Sequence, residues 1–171
     1  SYCNGVPLHA QVDEKTFKVF FVDVGLVNAM SGFTLNDLAK LSEITQVNSG
    51  AIAEQFVAQM LRYQQPFYQD PLTHYWVREK SGSDAEVDFV IQKGLEIIPI
   101  EVKAGSIGKL KSLQIFAKEK KSALAIRLCS LPIQISVLNN ELNSEGKACK
   151  LLTIPIYLAE RLEHLVTIST K

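Results

Sequence analysis

The chain predicts an α/β domain with a mixed central sheet flanked by helices, and three observations carry that expectation. Two apolar, β-branched runs, residues 85–91 and 97–103, stand on either side of Lys93-Gly94, a two-residue turn signal, and so read as a hairpin. Segments with apolar residues at helical spacing lie before and after it. The resulting order is helix, three strands, helix, strand.

Each element has its own local reason. Phe17 to Val22 reads as a strand, and Asp23-Val24-Gly25 turns from it into a short apolar helix, Leu26 to Met30, with Asp23 placed as an N-cap rather than as a catalytic acid. Thr34 to Ser42 predicts a further helix capped by Thr34. A longer one runs from Gly50 to about Gln64 after Asn48-Ser49, with Ile52, Phe56, Val57, Met60 and Leu61 on its apolar side and Glu54 at the edge of that side. Ala51 and Ala58 flank that side and keep the helix slim enough to lie close to a sheet. His74 to Arg78 forms a first strand and the hairpin supplies two more. A lysine-rich helix from about Lys109 to Lys120 and a strand from Ala123 to Cys129 follow. Asn139 to Lys150 is polar and turn-forming, so it reads as a loop or hairpin tip. Leu151 to Ile154 offers a short strand, and Pro155 suits the first position of a closing helix through about Leu165.

The hairpin holds charge where a buried sheet should hold none. Closing it at Lys93-Gly94 pairs Gln92 with Leu95, Val90 with Ile97, Asp88 with Pro99 and Glu86 with Glu101. Val87, Phe89, Ile91, Ile98, Ile100 and Val102 then share one face, and Glu86, Asp88, Glu101 and Lys103 share the other. Asp88 and Glu101 become diagonal neighbours with Cβ atoms about 7 Å apart, a span that a divalent cation can bridge. Oxygen ligands from two carboxylates and a backbone carbonyl suit Mg²⁺ or Mn²⁺. Lys103, on the same face, can touch a water on such a metal or a substrate phosphate. The alternative is a solvated sheet face whose charges only keep it wet.

Asp88 on one strand, then Glu101-Val102-Lys103 on the next, resembles the PD-(D/E)XK nuclease superfamily, whose restriction-endonuclease-like α-β-β-β-α-β core has the element order read above. The resemblance implies that Asp88, Glu101 and the carbonyl of Val102 hold Mg²⁺ or Mn²⁺, and that Lys103 orients a water or stabilises developing charge on a DNA phosphodiester. It further implies that Glu54 reaches the metal through a water or positions Lys103. In the RecB-like branch a glutamine followed by an aromatic residue lies on the next helix, which makes Gln114, before Phe116, a candidate accessory residue; a plain surface glutamine is the other reading.

A narrower resemblance covers most of the chain. The blocks at residues 19–26, 50–57, 75–89, 100–103 and 154–158 occur in the order found in an uncharacterised domain at the C-terminus of a group of prokaryotic AAA-type ATPases. That resemblance implies an upstream ATPase domain in the same protein. No G-x-x-x-x-G-K-[ST] motif occurs here, so ATP chemistry is not assigned to these residues. Residues 1–45 are accordingly expected to lead in from an upstream part, with 46–171 as the nuclease-like domain. A start at Ser1 rather than Met fits a piece of a longer protein.

Composition narrows the partners. Eighteen Lys and Arg balance eighteen Asp and Glu, so no global field draws in nucleic acid or an anionic membrane. A local cluster of Lys103, Lys109, Lys111, Lys118, Lys120 and Lys121 could meet phosphates or simply be a solvated helix face. Tyr68, Tyr75 and Trp76 could stack on bases or pack a core. Cys3, Cys129 and Cys149 are odd in number and show no metal spacing, which fits a reduced, cytoplasmic setting. His9, His74 and His164 show no ligand spacing either. No apolar run reaches the roughly 18 residues that a membrane span needs. Two functions stay open: a Mg²⁺- or Mn²⁺-dependent deoxyribonuclease, and a catalytically inactive nuclease-fold module that binds DNA or protein. The zero net charge, the modest basic cluster and the fact that fold does not fix function keep the second alive.

Overall fold

The hairpin turns one residue later than its dipeptide signal suggests, and that sets the register of the sheet. Strands β1 (His74–Arg78), β2 (Ala85–Lys93) and β3 (Glu96–Val102) are antiparallel, with Lys93 paired to Glu96, Val90 to Pro99 and Phe89 to Ile100. Gly94 and Leu95 are thus the turn, and Gly94 takes φ +61° at its first central position, where the absence of a Cβ removes the steric cost. Relative to closure at Lys93-Gly94 the register moves by two residues. One step beyond Phe89 and Ile100, Asp88 falls opposite Glu101 rather than diagonal to it.

A second irregularity changes the faces. Against β1, Trp76 pairs with Val87 while His74 pairs with Val90, so Asp88 and Phe89 together oppose Tyr75 alone. This is a β-bulge, and the extra residue interrupts the two-residue alternation of β2. Val87 therefore does not share a face with Phe89 and Ile91, as strict alternation predicts. Val87 and Val90 pack with Trp76 in one core cluster, while Phe89 and Ile91 pack in the other.

The computed structural model describes residues 6–13, 15–32, 34, 36, 49–68, 73–78, 84–105, 108–142 and 148–169. Helices α1 (Val24–Met30), α2 (Ser49–Tyr63), α3 (Lys111–Lys120) and α4 (Leu162–Ser169) flank a six-stranded mixed sheet completed by β4 (Leu124–Cys129), β5 (Gln134–Leu142) and β6 (Ala148–Pro155). The strand order is β1-β2-β3-β4-β6-β5, with β3, β4 and β6 parallel and β5 antiparallel to β6. On one side Ile98, Ile100, Ile126, Leu128, Leu152 and Ile154 meet Val57, Ala58 and Leu61 of α2 together with Leu162 and Val166 of α4. On the other, Val87, Ala125 and Leu151 meet Leu113, Phe116 and Ala117 of α3, and Trp76 lies edge-on to Phe116 at 5.2 Å. Trp76 and Tyr75 are thus core residues rather than base-stacking platforms, whereas Tyr68 is exposed. Full burial of each such large side chain contributes about 1.5–3 kcal/mol.

Several sequence expectations shift. Ala58, expected only to flank the apolar side of α2, is buried in the core, and Ile52 lies outside it. The strand expected at Leu151–Ile154 extends to eight residues in β6, and residues 139–150, read as a loop or hairpin tip, include the facing ends of β5 and β6, an antiparallel pair whose first strand, from Gln134, was not expected. Pro155 ends β6 opposite Cys129 and precedes a 3₁₀ helix, Ile156–Arg161, so α4 begins only at Leu162. Most of the helix expected at Thr34–Ser42, and the boundary between residues 45 and 46, lie outside the described residues.

Phe17 to Val22 does not join the sheet as a strand, because a side chain of α2 takes the place of a neighbouring strand. Gln55 Oε1 accepts the Phe21 N–H at 2.9 Å, and Gln55 Nε2 donates to the Phe21 carbonyl at 2.8 Å. One turn further, Gln59 accepts from the Val24 N–H at 2.8 Å and donates to the Asp23 carboxylate at 2.9 Å. Asp23 also caps α1 by accepting from the Gly25 N–H at 2.7 Å. Just past α2, Gln64 donates to the Ala159 carbonyl at 2.9 Å and ties the C-terminal helices down. Gln55→Leu should remove both partners of the Phe21 backbone at little change in volume and lower stability by about 1–3 kcal/mol. Urea denaturation measures the loss, and limited proteolysis should show residues 17–22 cut first; a variant with the parent's midpoint and cleavage pattern would contradict this attachment.

Candidate functional site

The bulge in β2 and the parallel pairing of β3 with β4 bring the hairpin's charges together. Val102 donates its N–H to Asp88 Oδ2 at 2.7 Å, so the aspartate is held against the backbone of β3. Lys103 donates its N–H to the Leu128 carbonyl at 2.8 Å, which anchors its backbone beside β4. Its ammonium donates to Glu101 Oε1. The lysine stem runs over Gly108, where a Cβ would come within 2.8 Å of Lys103 Cδ. Gly108 therefore leaves room for the lysine, a role that sequence reasoning missed because it depends on a contact between side chain and backbone.

The electrostatics are those of carboxylates crowded out of water. Glu101 is only 6% exposed, and its Oε2 is buried with no hydrogen-bond partner among the described residues. Burial raises the Glu101 pKa, and the hydrogen bond and positive charge of Lys103 oppose that rise. Asp88 is pushed up to about 7, first by burial and then by the negative charge of Glu101; the Val102 N–H opposes the shift. Glu54 contributes to the raised values of both acids.

Glu54 comes from α2, whose Ala53 and Val57 seat the helix against the sheet. Its carboxylate accepts from Lys18 Nζ at 2.8 Å, and the same ammonium pairs with Glu86. Lys18 also lies 5.2 Å from the Tyr75 ring centroid, within cation–π range. Burial would lower the Lys18 pKa, but the two carboxylates outweigh it and the value is raised. Lys18 and Glu86 thus belong to this constellation. Lys18 was missed as a site residue, and the only signal available was a lone charge in the apolar run Phe17–Val22. Beside the pair runs a groove of about 750 Å³ lined by Lys18, Phe20, Ile52, Glu54, Gln55 and Glu86.

Glu54, Asp88, Glu101 and Lys103 are therefore brought into one electrostatic neighbourhood. Gln114 is exposed on α3 and donates to the Leu138 carbonyl of β5 at 3.3 Å, which ties the helix to the sheet edge. Among the described residues, no three His, Cys, Asp and Glu side chains gather closely enough to hold a metal ion on their own. A cation here would have to rest on Asp88, Glu101 and the Val102 carbonyl, with waters filling the remainder. Mg²⁺ accepts such a set, since it keeps several waters and needs only one or two carboxylates. The unpartnered Glu101 Oε2 and the raised Asp88 pKa fit that ion, because a positive charge between the two acids would relieve both.

Asp88 also makes the metal-free fold sensitive to pH. Its folded pKa of about 7 lies above the ordinary 3.8, so its contribution to stability is fully present below 3.8 and is lost as pH rises through about 7. The parent is expected to melt higher near pH 5.5 than near pH 8 by a margin that Asp88→Asn reduces. Thermal melts of both proteins in chelator across that range measure the difference, and equal pH profiles would refute it.

Among the described residues no helix is long and apolar enough to cross a membrane. A search of curated proteins finds no match to the chain. A family model described as a domain of unknown function (DUF4143) matches residues 49–157, from the first residue of α2 to just past β6, and that span includes Glu54, Asp88, Glu101 and Lys103. With well over half of its 171 residues matched, the chain belongs to the DUF4143 family.

Proposed function

We propose that this domain has a restriction-endonuclease-like core and cleaves DNA phosphodiesters with the help of Mg²⁺ or Mn²⁺, as the C-terminal part of an AAA-type ATPase. The observation that carries the reading is the pairing of Asp88 and Glu101 across β2 and β3, with one buried carboxylate oxygen unpartnered and Lys103 hydrogen-bonded to the other. The order α2, β1–β3 antiparallel, α3 and β4 parallel to β3 supports the fold part of the proposal. The link to an ATPase rests on the sequence resemblance alone.

Asp88, Glu101 and the Val102 carbonyl would hold the metal. When bound, that ion supplies acidification of a water and neutralisation of charge on the scissile phosphate. The protein's own contributions are positional and electrostatic. The Val102 N–H fixes the Asp88 carboxylate, and the other Asp88 oxygen is the one to offer to a cation. Lys103 presents an ammonium beside Glu101, where it can orient a nucleophile or stabilise negative charge that builds on phosphate. Glu54 adds negative potential from α2 and strengthens cation binding at the pair.

A second reading has its own observation. Lys18 already neutralises Glu54 and Glu86, a balanced arrangement suited to a nuclease-fold module that binds DNA or protein without cutting. The two readings separate in one set of assays. The nuclease reading expects cleavage of single- or double-stranded DNA in millimolar Mn²⁺, none in chelator, and a loss of about a hundredfold or more in Lys103→Ala. By calorimetry Glu101→Ala should lose Mn²⁺ binding. Undiminished Mn²⁺ affinity in Glu101→Ala would remove this site, and DNA or partner binding that survives Lys103→Ala in a protein that never cuts would establish the module instead. Gly108→Ala should push the Lys103 stem aside and lower the cleavage rate with an unchanged melting temperature; an unchanged rate would show that the stem adapts.

A further inference from the structure

We infer that His9 and His74 form a two-imidazole site for a borderline-soft divalent cation, of which Zn²⁺ is the type, that clips the N-terminal segment to the first strand of the sheet. Nothing in this inference depends on the acidic site, which offers oxygen ligands only. His9 belongs to a 3₁₀ turn, Leu8–Gln11, and His74 is the first residue of β1. Widely separated in sequence and without ligand spacing, they meet in the fold with ring centroids 5.0 Å apart and planes tilted by 60°.

That separation is compatible with a shared metal. With a metal–nitrogen bond of about 2.1 Å, each ring centroid stands about 3.2 Å from the ion, and a tetrahedral angle then sets the centroids about 5.2 Å apart. His74 is 5% exposed, and both its ring nitrogens are buried without a hydrogen-bond partner among the described residues. Buried polar groups are almost always satisfied, and an unpaired one is costly, so an imidazole with two idle nitrogens calls for an explanation. A metal on one of them supplies it. Burial, followed by the charge of His9, lowers the His74 pKa to about 4, so the ring is in the neutral, ligating form across the physiological range.

The backbone around both residues is held in place before any ion binds. Leu8, next to His9, is buried in the core with Trp76, and its N–H donates to Gln92 Oε1 at 3.0 Å. Gln92 in turn donates to the Gly94 carbonyl at 2.8 Å, which fixes its amide to the hairpin turn. Imidazole donors favour Zn²⁺, Ni²⁺ or Cu²⁺ over Mg²⁺, so the histidine pair and the acidic site would select different ions.

The test uses the full chain, stripped with chelator and titrated with Zn²⁺ by calorimetry, with melting followed in parallel. One equivalent per chain and a raised melting midpoint are expected, as for any ion that binds only the folded form. His9→Ala, at an exposed position that the core does not need, should weaken Zn²⁺ binding at least tenfold and abolish the shift. His74→Gln should do the same, and Glu101→Gln should leave both intact. With Cu²⁺ as a probe, electron paramagnetic resonance should show coupling to two imidazole nitrogens in the parent and fewer in His9→Ala. Parental Zn²⁺ affinity in His9→Ala, no binding to the parent, or a response lost in Glu101→Gln alone would each overturn the inference.

Discussion

Between Val87 and Val90, β2 carries one residue more than β1 can pair, and the placing of the acids depends on that bulge. An unbroken strand would keep Val87, Phe89 and Ile91 on one face and spend all three on one layer of core. The extra residue instead sends Val87 and Val90 toward α3, and Phe89 and Ile91 toward α2 and α4. Both layers are then filled from one short strand. Asp88 is left at the irregularity, where its carboxylate accepts a backbone N–H from β3 instead of facing open water. Bulges re-aim side chains in this way at the ends of paired segments, and the cost is local disruption of the ladder.

A charge problem follows. Glu54, Glu86, Asp88 and Glu101 come from two strands and a helix, and among the described residues Lys18 and Lys103 answer them. Lys18 neutralises the outer pair, Glu54 and Glu86, and Lys103 offsets Glu101 only in part, through one oxygen. The inner pair, Asp88 and Glu101, keeps raised pKa values. A protein gains no stability from a buried and a partly buried acid whose charges oppose each other. The proposed divalent cation would relieve that opposition. The hydrogen bond from Val102 matters here, since it keeps Asp88 in position in either protonation state.

The N-terminal segment is attached by polar chemistry rather than by sheet pairing. Gln55 and Gln59, both buried, point the same way from α2 and present amides to residues 21–24. An amide side chain offers one donor and one acceptor, the pattern that an adjacent strand would offer, so Phe21 is satisfied without entering the sheet. Apolar Phe17, Val19 and Val22 are consequently left exposed, while Phe20 packs on Phe89 at 5.7 Å. Lys18 reaches the acids only because this segment is held down so close to α2.

What the sequence determined by itself is what local periodicity can encode. The β-branched runs, the Gly94 turn, the apolar stripe of α2 and the Asp23 cap specify an α/β chain with these strands in this order, and they put Asp88, Glu101 and Lys103 at the end of one hairpin. The face of Val87, the unpaired state of Phe17–Val22, the full length of β5 and the roles of Lys18 and Gly108 were decided by tertiary structure. Each depends on a partner distant in the chain: Tyr75 opposite the bulge, Gln55 in place of a strand, β6 beside β5, Glu54 and Glu86 around Lys18, the Lys103 stem over Gly108. The meeting of His9 with His74 is of the same kind. Periodicity reports which residues can share a face, but it is silent on which distant group arrives to meet them, because that depends on how whole layers pack.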